Sequence, residues 1–218
     1  MTVTSFAALI GVWFAAICSP GPDLLCLARI ATRSRARGLA AAAGIVAGIV
    51  VWLVLTLAGL GALLAAAPPL LAALQIAGGA YLLWLGFSAL RAGVRQLRSP
   101  SPHVLDDASL PSLRPLPGVR GAFLQGLFTN LSNPKAVIFF GAVFTRFITP
   151  GMGFAPQLLI VVVLAACAIA WFGCVAWGLG LRRFAEKLHR AGPWIDAVSG
   201  AVFVVLAIAV IAEGVTSL

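Results

Sequence analysis

The sequence has few charged residues and very few acids. Of its 218 residues, 10% are charged, only six are Asp or Glu, and 61% are hydrophobic. Ordinary soluble domains carry about 25% charged and about 45–50% apolar residues. This shortage of charge excludes an ordinary soluble domain. It indicates a polytopic membrane protein whose surroundings are the lipid bilayer.

The sequence is also poor in side chains that carry enzyme chemistry. Its two histidines, His103 and His189, fall outside the apolar runs, so no intramembrane histidine is available as a base or metal ligand. The four cysteines lie within apolar runs, which is typical of small buried hydrophobes rather than of a disulfide framework. Intramembrane aspartyl chemistry needs two carboxylates, and only Asp23 lies well inside a run. We therefore predict a protein that is not an enzyme and has neither metal nor cofactor.

The apolar runs predict six membrane spans, at about 20 residues for each crossing. The predicted spans cover residues 5–28, 38–66, 70–91, 120–148, 156–181 and 194–213. A polar, proline-rich stretch separates the third span from the fourth, so the predicted units are residues 1–98, a linker at 99–117, and residues 118–218. Because no basic region precedes the first apolar run, we expect no cleaved signal peptide.

Basic residues cluster in three of the predicted loops. Thirteen of the 15 Lys and Arg residues fall within residues 29–37, 91–120 and 182–190. The positive-inside rule puts these loops in the cytoplasm, which leaves both termini on the outer side. The same clustering explains the net charge of +9 by membrane orientation, so we predict no nucleic-acid partner.

Two of the apolar runs are interrupted by proline and by a charged residue. The first break is Ser19-Pro20-Gly21-Pro22-Asp23, and the second is Asn130-Leu131-Ser132-Asn133-Pro134-Lys135. Proline lacks an N–H and clashes with the preceding turn, so both helices should unwind there. Freed backbone groups are tolerated in a membrane only against protein, water or a ligand. The half-helix ends also carry opposite partial charges, which match a zwitterion with one carboxylate and one ammonium.

The two halves of the chain resemble each other. Each has three predicted spans with a break in the first, and because three is odd the second half should be inverted. Gly78-Gly79-Ala80 aligns with Ser199-Gly200-Ala201, and Gly93 with Gly214. Small residues four apart, which let helix backbones approach closely, mark the second span of each half: Ala40, Gly44 and Gly48, then Ala166, Ala170, Cys174 and Gly178. The predicted fold is all-α, with six transmembrane helices as two inverted three-helix repeats and broken helices 1 and 4.

The charges at the breaks are the main candidates for function. A charge at mid-membrane costs at least roughly 2.5–3.5 kcal/mol on insertion scales, so such residues are usually functional or paired. Asp23 is interpreted as a substrate or proton-coupling group, or else as a helix cap or a salt-bridge partner of Arg29. Lys135 binds substrate, or is a snorkelling anchor or a structural partner of Asp23. Asn130 and Asn133 either donate to a substrate carboxylate or satisfy freed backbone.

Broken helices in matching positions of two inverted halves point to a transport site. The predicted substrate and coupling residues are Pro20, Gly21, Pro22, Asp23, Tyr81, Asn130, Asn133, Pro134 and Lys135. Tyr81 is the only tyrosine, and a lone aromatic of this kind more often packs or makes a single hydrogen bond. A thiol–disulfide carrier is the alternative, because Cys18 adjoins the first break, but a relay needs a second cysteine where Asn133 stands. An ion exporter is a weaker alternative, since the breaks offer few metal ligands.

Taken together, these motifs resemble the lysine/threonine exporter family (LysE/RhtB). The resemblance covers nearly the whole chain and rests on the two breaks, on the basic loop with Gly38, Gly44 and Gly48, and on Gly78-Gly79-Ala80-Tyr81-Leu82 through Gly86. It implies a secondary transporter that exports an amino acid or related small metabolite across the bacterial inner membrane, driven by the proton gradient or membrane potential. It also implies that the signature positions are Pro20, Gly21, Pro22, Asn133, Pro134 and Lys135. The substrate's identity, the coupling ion and homo-oligomer formation stay open.

Overall fold

The protein is described by a computed structural model that covers residues 3–66, 68–98, 116–143, 147, 152–179 and 181–217. Within these ranges the chain is helical and forms no strand, which confirms the all-α prediction. The helices are α1 (Val3–Cys18), α2 (Pro22–Ala31), α3 (Arg35–Ala66), α4 (Pro68–Arg98), α5 (Val119–Leu131), α6 (Pro134–Ile138), α7 (Phe154–Gly178) and α8 (Arg182–Thr216). A π-helical turn, Phe139–Val143, continues α6.

Among the described residues, four helices contain a segment that is long and apolar enough to cross a membrane. These segments are Arg35–Gly59, Ala72–Arg98, Phe154–Gly178 and Arg190–Thr216. A fifth span results if α1 and α2 are one span bent by 54° at the first predicted break. The chain is thus a multi-pass membrane protein.

The predicted fourth span, residues 120–148, is divided by the second break into α5, α6 and the π-helical turn. Part of its end lies outside the described residues, as does the predicted linker 99–117 apart from its last two residues. The count of six spans therefore stays a prediction.

Helices α4 and α8 pack antiparallel, with glycines at the contact. A Cβ at Gly86 would lie 2.9 Å from the carbonyl oxygen of Gly200, and a Cβ at Gly93 would lie 2.5 Å from that of Pro193. These distances are too short for any side chain, so the backbones themselves are in contact. Pro193 lies inside α8, although the sequence predicted a span that begins after it; the segment from Arg182 that was expected to be a loop is helical.

The small-residue stripe of α3, which predicted a close approach between helix backbones, packs against α5. A Cβ at Gly44 would lie 2.0 Å from the carbonyl oxygen of Phe123, and one at Gly48 would lie 2.7 Å from Oδ1 of Asn130. The stripe thus brings α3 directly against the helix that leads into the second break, and Gly48 leaves the space that the Asn130 side chain fills.

The corresponding stripe of α7 does not pack in this way. Ala166, Ala170 and Cys174 are exposed in the chain, and only Gly178 at the end of the stripe is buried. The buried face of α7 instead runs through Leu164, Ala168 and Phe172, and large side chains such as Ile169 and Trp177 are exposed.

Candidate functional site

The first break leaves the end of α1 without its normal hydrogen-bond donors. Pro20 has no N–H to give to the carbonyl oxygen of Ala16, four residues earlier. The ammonium of Lys135, from the second break, donates to that oxygen at 3.1 Å and to the carbonyl oxygen of Ser19 at 2.8 Å. These oxygens lie at the C-terminal end of α1, where the helix dipole is negative. Lys135 therefore caps the first broken helix.

The second break positions Lys135 by capping its own helix. Oδ1 of Asn133 accepts a hydrogen bond from the backbone N–H of Lys135 at 3.0 Å, and Pro134 is the first residue of α6. Proline suits that position because its missing N–H has no intrahelical partner there. Gly21 leaves room for the lysine, since a Cβ at Gly21 would lie 3.1 Å from Nζ of Lys135.

Asp23 is the point at which the two breaks join. It lies in the first turn of α2 and is 9% exposed. Its Oδ2 accepts hydrogen bonds from Nδ2 of Asn130 at 2.9 Å and from Nδ2 of Asn133 at 3.0 Å. The sequence left open a salt bridge of Asp23 with Arg29 or Lys135. The structure instead binds its carboxylate through two neutral amides.

Two buried oxygen atoms at this junction have no hydrogen-bond partner among the described residues. They are Oδ1 of Asp23 and Oδ1 of Asn130. Both atoms only accept hydrogen bonds, and buried polar atoms are nearly always satisfied in native proteins. The pair is therefore suited to a ligand that donates several hydrogen bonds, such as an ammonium group.

A small cavity of about 30 Å³ lies at this junction. Asp23, Asn130, Asn133 and Lys135 line it together with aromatic side chains. Its volume is about that of one water molecule, whereas ligand pockets measure roughly 300–1,000 Å³. The central cavity is therefore closed around the charged groups in this conformation and must widen before it admits an organic ligand.

An aromatic cluster closes one side of this central cavity. The ring of Trp13 lies 5.6 Å from that of Phe139 and 5.8 Å from that of Phe140, between centroids. The indole N–H of Trp13 donates to the carbonyl oxygen of Leu164 at 3.1 Å, which fixes the ring against α7. Trp13 precedes the first break, so the cluster lies on the opposite side of the break from the basic end of α2.

A larger cavity of about 490 Å³ lies on the other side of the break. Pro20, Gly21 and Asp196 are among the residues that line it. The Lys135 ammonium lies close enough to the carboxylates of Asp23 and Asp196 to interact electrostatically with both. Sequence reasoning missed Asp196, although an acid inside the predicted span 194–213 was a signal. Because Asp196 is only two residues from the start of that span, Asp23 alone was counted as lying well inside a span.

The structure brings most of the predicted site residues together. Four of them line the central cavity, namely Asp23, Asn130, Asn133 and Lys135, and two line the larger cavity, namely Pro20 and Gly21. Pro22 and Pro134 are the first residues of α2 and α6 and set where those helices begin. Tyr81 lies on α4 with its ring 5.6 Å from that of Trp84, and it lines neither cavity.

The helices and comparisons with known proteins define the class as a multi-pass membrane transporter. The profile of the LysE type translocator family matches residues 14–214, so the chain belongs to that family. It is 34% identical over 195 residues to a threonine efflux protein of Salmonella typhi, covering 88% of this chain and 90% of the relative. It is 33% identical to the threonine efflux protein of Escherichia coli K12, with the same coverage.

A leucine efflux protein of Klebsiella pneumoniae is 28% identical over 202 residues, with 90% of this chain and 89% of the relative covered. No solved structure matches the chain significantly. These three relatives are named for efflux, which is consistent with the prediction of a protein that is not an enzyme.

Proposed function

We propose that this protein is a secondary transporter that exports an amino acid across the bacterial inner membrane. The substrate binds where the two helix breaks meet. The protein has six spans in two inverted halves, with both termini in the periplasm. The proton gradient or the membrane potential drives export.

The pairing of unsatisfied acceptors with a spare cationic donor carries this proposal. The free Oδ1 atoms of Asp23 and Asn130 accept hydrogen bonds from the substrate's ammonium group. Lys135 has three N–H donors and gives two of them to Ala16 and Ser19, so the third remains for the substrate's carboxylate. An amino acid is the small zwitterion that satisfies both ends of such a site.

The unequal cavities support a transporter that faces the basic side. The cavity of about 490 Å³ includes Arg29, which follows the break, whereas the aromatic cluster with Trp13 precedes it. A substrate that comes from the side of the membrane where α2 ends, near Arg29, reaches the break through the larger cavity. Export then requires the aromatic cluster to separate and the larger cavity to close, as alternating access demands.

The packing of α4 on α8 supports the inverted repeat. Gly79 and Gly200, like Gly93 and Gly214, are 121 residues apart. Gly93 packs against Ala197 of α8, and its counterpart Gly214 packs against Ile76 of α4. Each glycine therefore makes the contact that its counterpart makes on the other helix, which is the pattern that a two-fold axis between inverted halves produces.

Asp23 is the proposed coupling group. It is the buried acid at the junction, and its carboxylate is held by amides rather than by a fixed cation. A proton on its free oxygen would remove the charge that holds the substrate's ammonium. Proton binding and substrate release would then be linked at one atom.

The experiment that tests the function is untargeted metabolite analysis of the growth medium. Strains that overexpress the protein, lack it, or express Asp23→Asn are compared. The relatives' names make threonine and leucine the first candidates. We expect at least one amino acid to accumulate outside the overexpressing cells and not outside the other two strains. Equal media in all three strains would contradict the proposal.

A thiol carrier is distinguished from an exporter by Cys18→Ser. The described residues include no disulfide, and Cys18 is a free thiol beside the first break. A relay would lose all activity without that sulfur, whereas an amino-acid exporter retains export because a hydroxyl fills nearly the same space.

A further inference from the structure

The larger cavity has the size and the walls of a ligand site. Its volume of about 490 Å³ lies within the range of roughly 300–1,000 Å³ that small-molecule sites occupy. Pro20 and Gly21 line it, Ser19 lines the central cavity, and Leu24 lines both. The first break is therefore the partition between the two cavities.

This cavity also offers the two charges that a zwitterion needs. Asp196 is half-buried and is the only carboxylate among the described residues that line it. Arg29 contributes a cation to the same lining. Trp171 lines the cavity too, and its buried indole N–H has no acceptor among the described residues. Most of the remaining wall is apolar, with Val175 and Ile195 among the examples.

We propose that this cavity is an outer subsite that binds a neutral α-amino acid before it enters the central site. Asp196 holds the substrate's ammonium, and Arg29 with the indole N–H of Trp171 faces its carboxylate. The apolar wall takes an uncharged side chain. A second ammonium on the substrate would find no second carboxylate among the described lining, so the subsite selects against diamino acids. The subsite rests on the proposed function, since it supplies the central site.

The position of Lys135 links the two sites. Its ammonium interacts electrostatically with both Asp196 and Asp23, which lie on either side of the break. Lys135 is thus one fixed cation near both acids, and it attracts the substrate's carboxylate while the substrate's ammonium passes from Asp196 to Asp23. Asp196 binds the substrate when it arrives in the outer subsite, whereas Asp23 binds it in the central site.

The first test is kinetic. Inside-out membrane vesicles present the proposed cytoplasmic face, and uptake of labelled threonine, leucine and lysine is measured for the wild type, Asp196→Asn and Asp196→Glu. Loss of a charge-assisted hydrogen bond should raise KM for threonine or leucine about ten- to hundredfold, with a much smaller fall in the maximal rate. Asp196→Glu should recover most of the affinity. Glu213→Gln removes an acid near the other end of α8 and should leave KM unchanged.

The second test does not depend on an Asp196 variant that folds. Cys18 lines the same cavity, and the other cysteines, Cys26, Cys167 and Cys174, are replaced by serine. A small maleimide should label Cys18 in inside-out vesicles. Threonine or leucine should slow that labelling at least about threefold at saturating concentration, and lysine should not.

Two results would overturn the subsite and leave the exporter intact, provided that the wild type transports. One is an unchanged KM in Asp196→Asn, and the other is no protection of Cys18 by threonine or leucine. Lysine that protects Cys18 as well as threonine does would overturn the selectivity. Absence of transport of every amino acid tested would overturn the proposed function, and the subsite with it.

Discussion

The side-chain amide of Asn133 donates a 3.0 Å hydrogen bond to Oδ2 of Asp23, which lies 110 residues earlier in the chain. This bond connects the second helix break to the first. Lys135 adds two hydrogen bonds in the same direction, to the end of α1. The two breaks are thus one structure, in which each break satisfies polar groups that the other exposes. A movement of one broken helix must therefore strain or break hydrogen bonds to the other.

The prolines of the first break are predicted to be necessary for transport. In Pro20→Ala/Pro22→Ala, residue 20 regains an N–H that bonds to Ala16 within a continuous helix. Lys135 then loses that acceptor, and the 54° bend should relax. We expect normal insertion with at least a tenfold lower export rate, measured as efflux of preloaded labelled amino acid. Pro156→Ala, in the exposed first turn of α7, is the control and should export normally. Wild-type export by the double variant would place the site elsewhere.

Asp23 and Lys135 are predicted to have separate roles in transport, although their charges interact, rather than merely to neutralise each other. Asp23 binds amides and Lys135 binds carbonyls, so removing both charges should not restore what either single change loses. We expect Asp23→Asn to abolish gradient-driven export while some downhill exchange remains, and Asp23→Asn/Lys135→Gln to be no better. The measurement is efflux from vesicles with and without an imposed pH gradient. Recovery of export in the double variant, with its dependence on the pH gradient intact, would refute the role of Asp23 as the group that carries the coupling proton.

Gly48 is predicted to hold the site open for Asn130. A Cβ at Gly48 would lie 2.7 Å from Oδ1 of Asn130, so Gly48→Ala must displace the side chain that binds Asp23. Overpacking of this kind costs about 1–3 kcal/mol of stability, and transport should fall at least tenfold. Gly173→Ala is the matched control, because nothing lies within 4 Å of the added Cβ. Thermal unfolding in detergent and initial transport rates check both variants. Equal rates would show that the Asn130 position is unimportant.

Much of the candidate site could be predicted because proline and charge in an apolar run are rare and have few explanations. Pro20, Asp23 and Lys135 were identified in this way, and the structure places all three at one junction. Their partners were not predictable, since hydrogen bonds between residues more than a hundred apart depend on helix packing. The sequence left open a salt bridge of Asp23, whereas in the structure its carboxylate accepts hydrogen bonds from the amides of Asn130 and Asn133.

The start of α8 shows where composition misleads. The segment from Arg182 is basic and precedes Pro193, so it was predicted to be a loop; it is helical, and Asp196 lies well inside the helix. Proline is tolerated in a membrane helix where that stretch is packed against protein. Here α4 packs at that point through Gly93, which the sequence alone does not reveal.

The topology is predicted from the basic residues and from the inverted halves. Six spans with basic loops inside put the C-terminus in the periplasm. A C-terminal alkaline phosphatase fusion should be active, and a green fluorescent protein fusion exported unfolded should be dark. A bright green fusion with inactive phosphatase would remove both the topology and the inverted repeat.

Counterflow exchange in proteoliposomes tests most directly whether the joined breaks are the transport site. Vesicles loaded with unlabelled threonine or leucine are placed in the labelled amino acid, and the wild type is compared with Lys135→Gln and Lys187→Gln. Each variant loses one cation, but only Lys135 lines the central cavity, whereas Lys187 is exposed on α8. We predict wild-type exchange in Lys187→Gln and at least a tenfold loss in Lys135→Gln at equal amounts of folded protein. Equal exchange by the two variants would contradict the account.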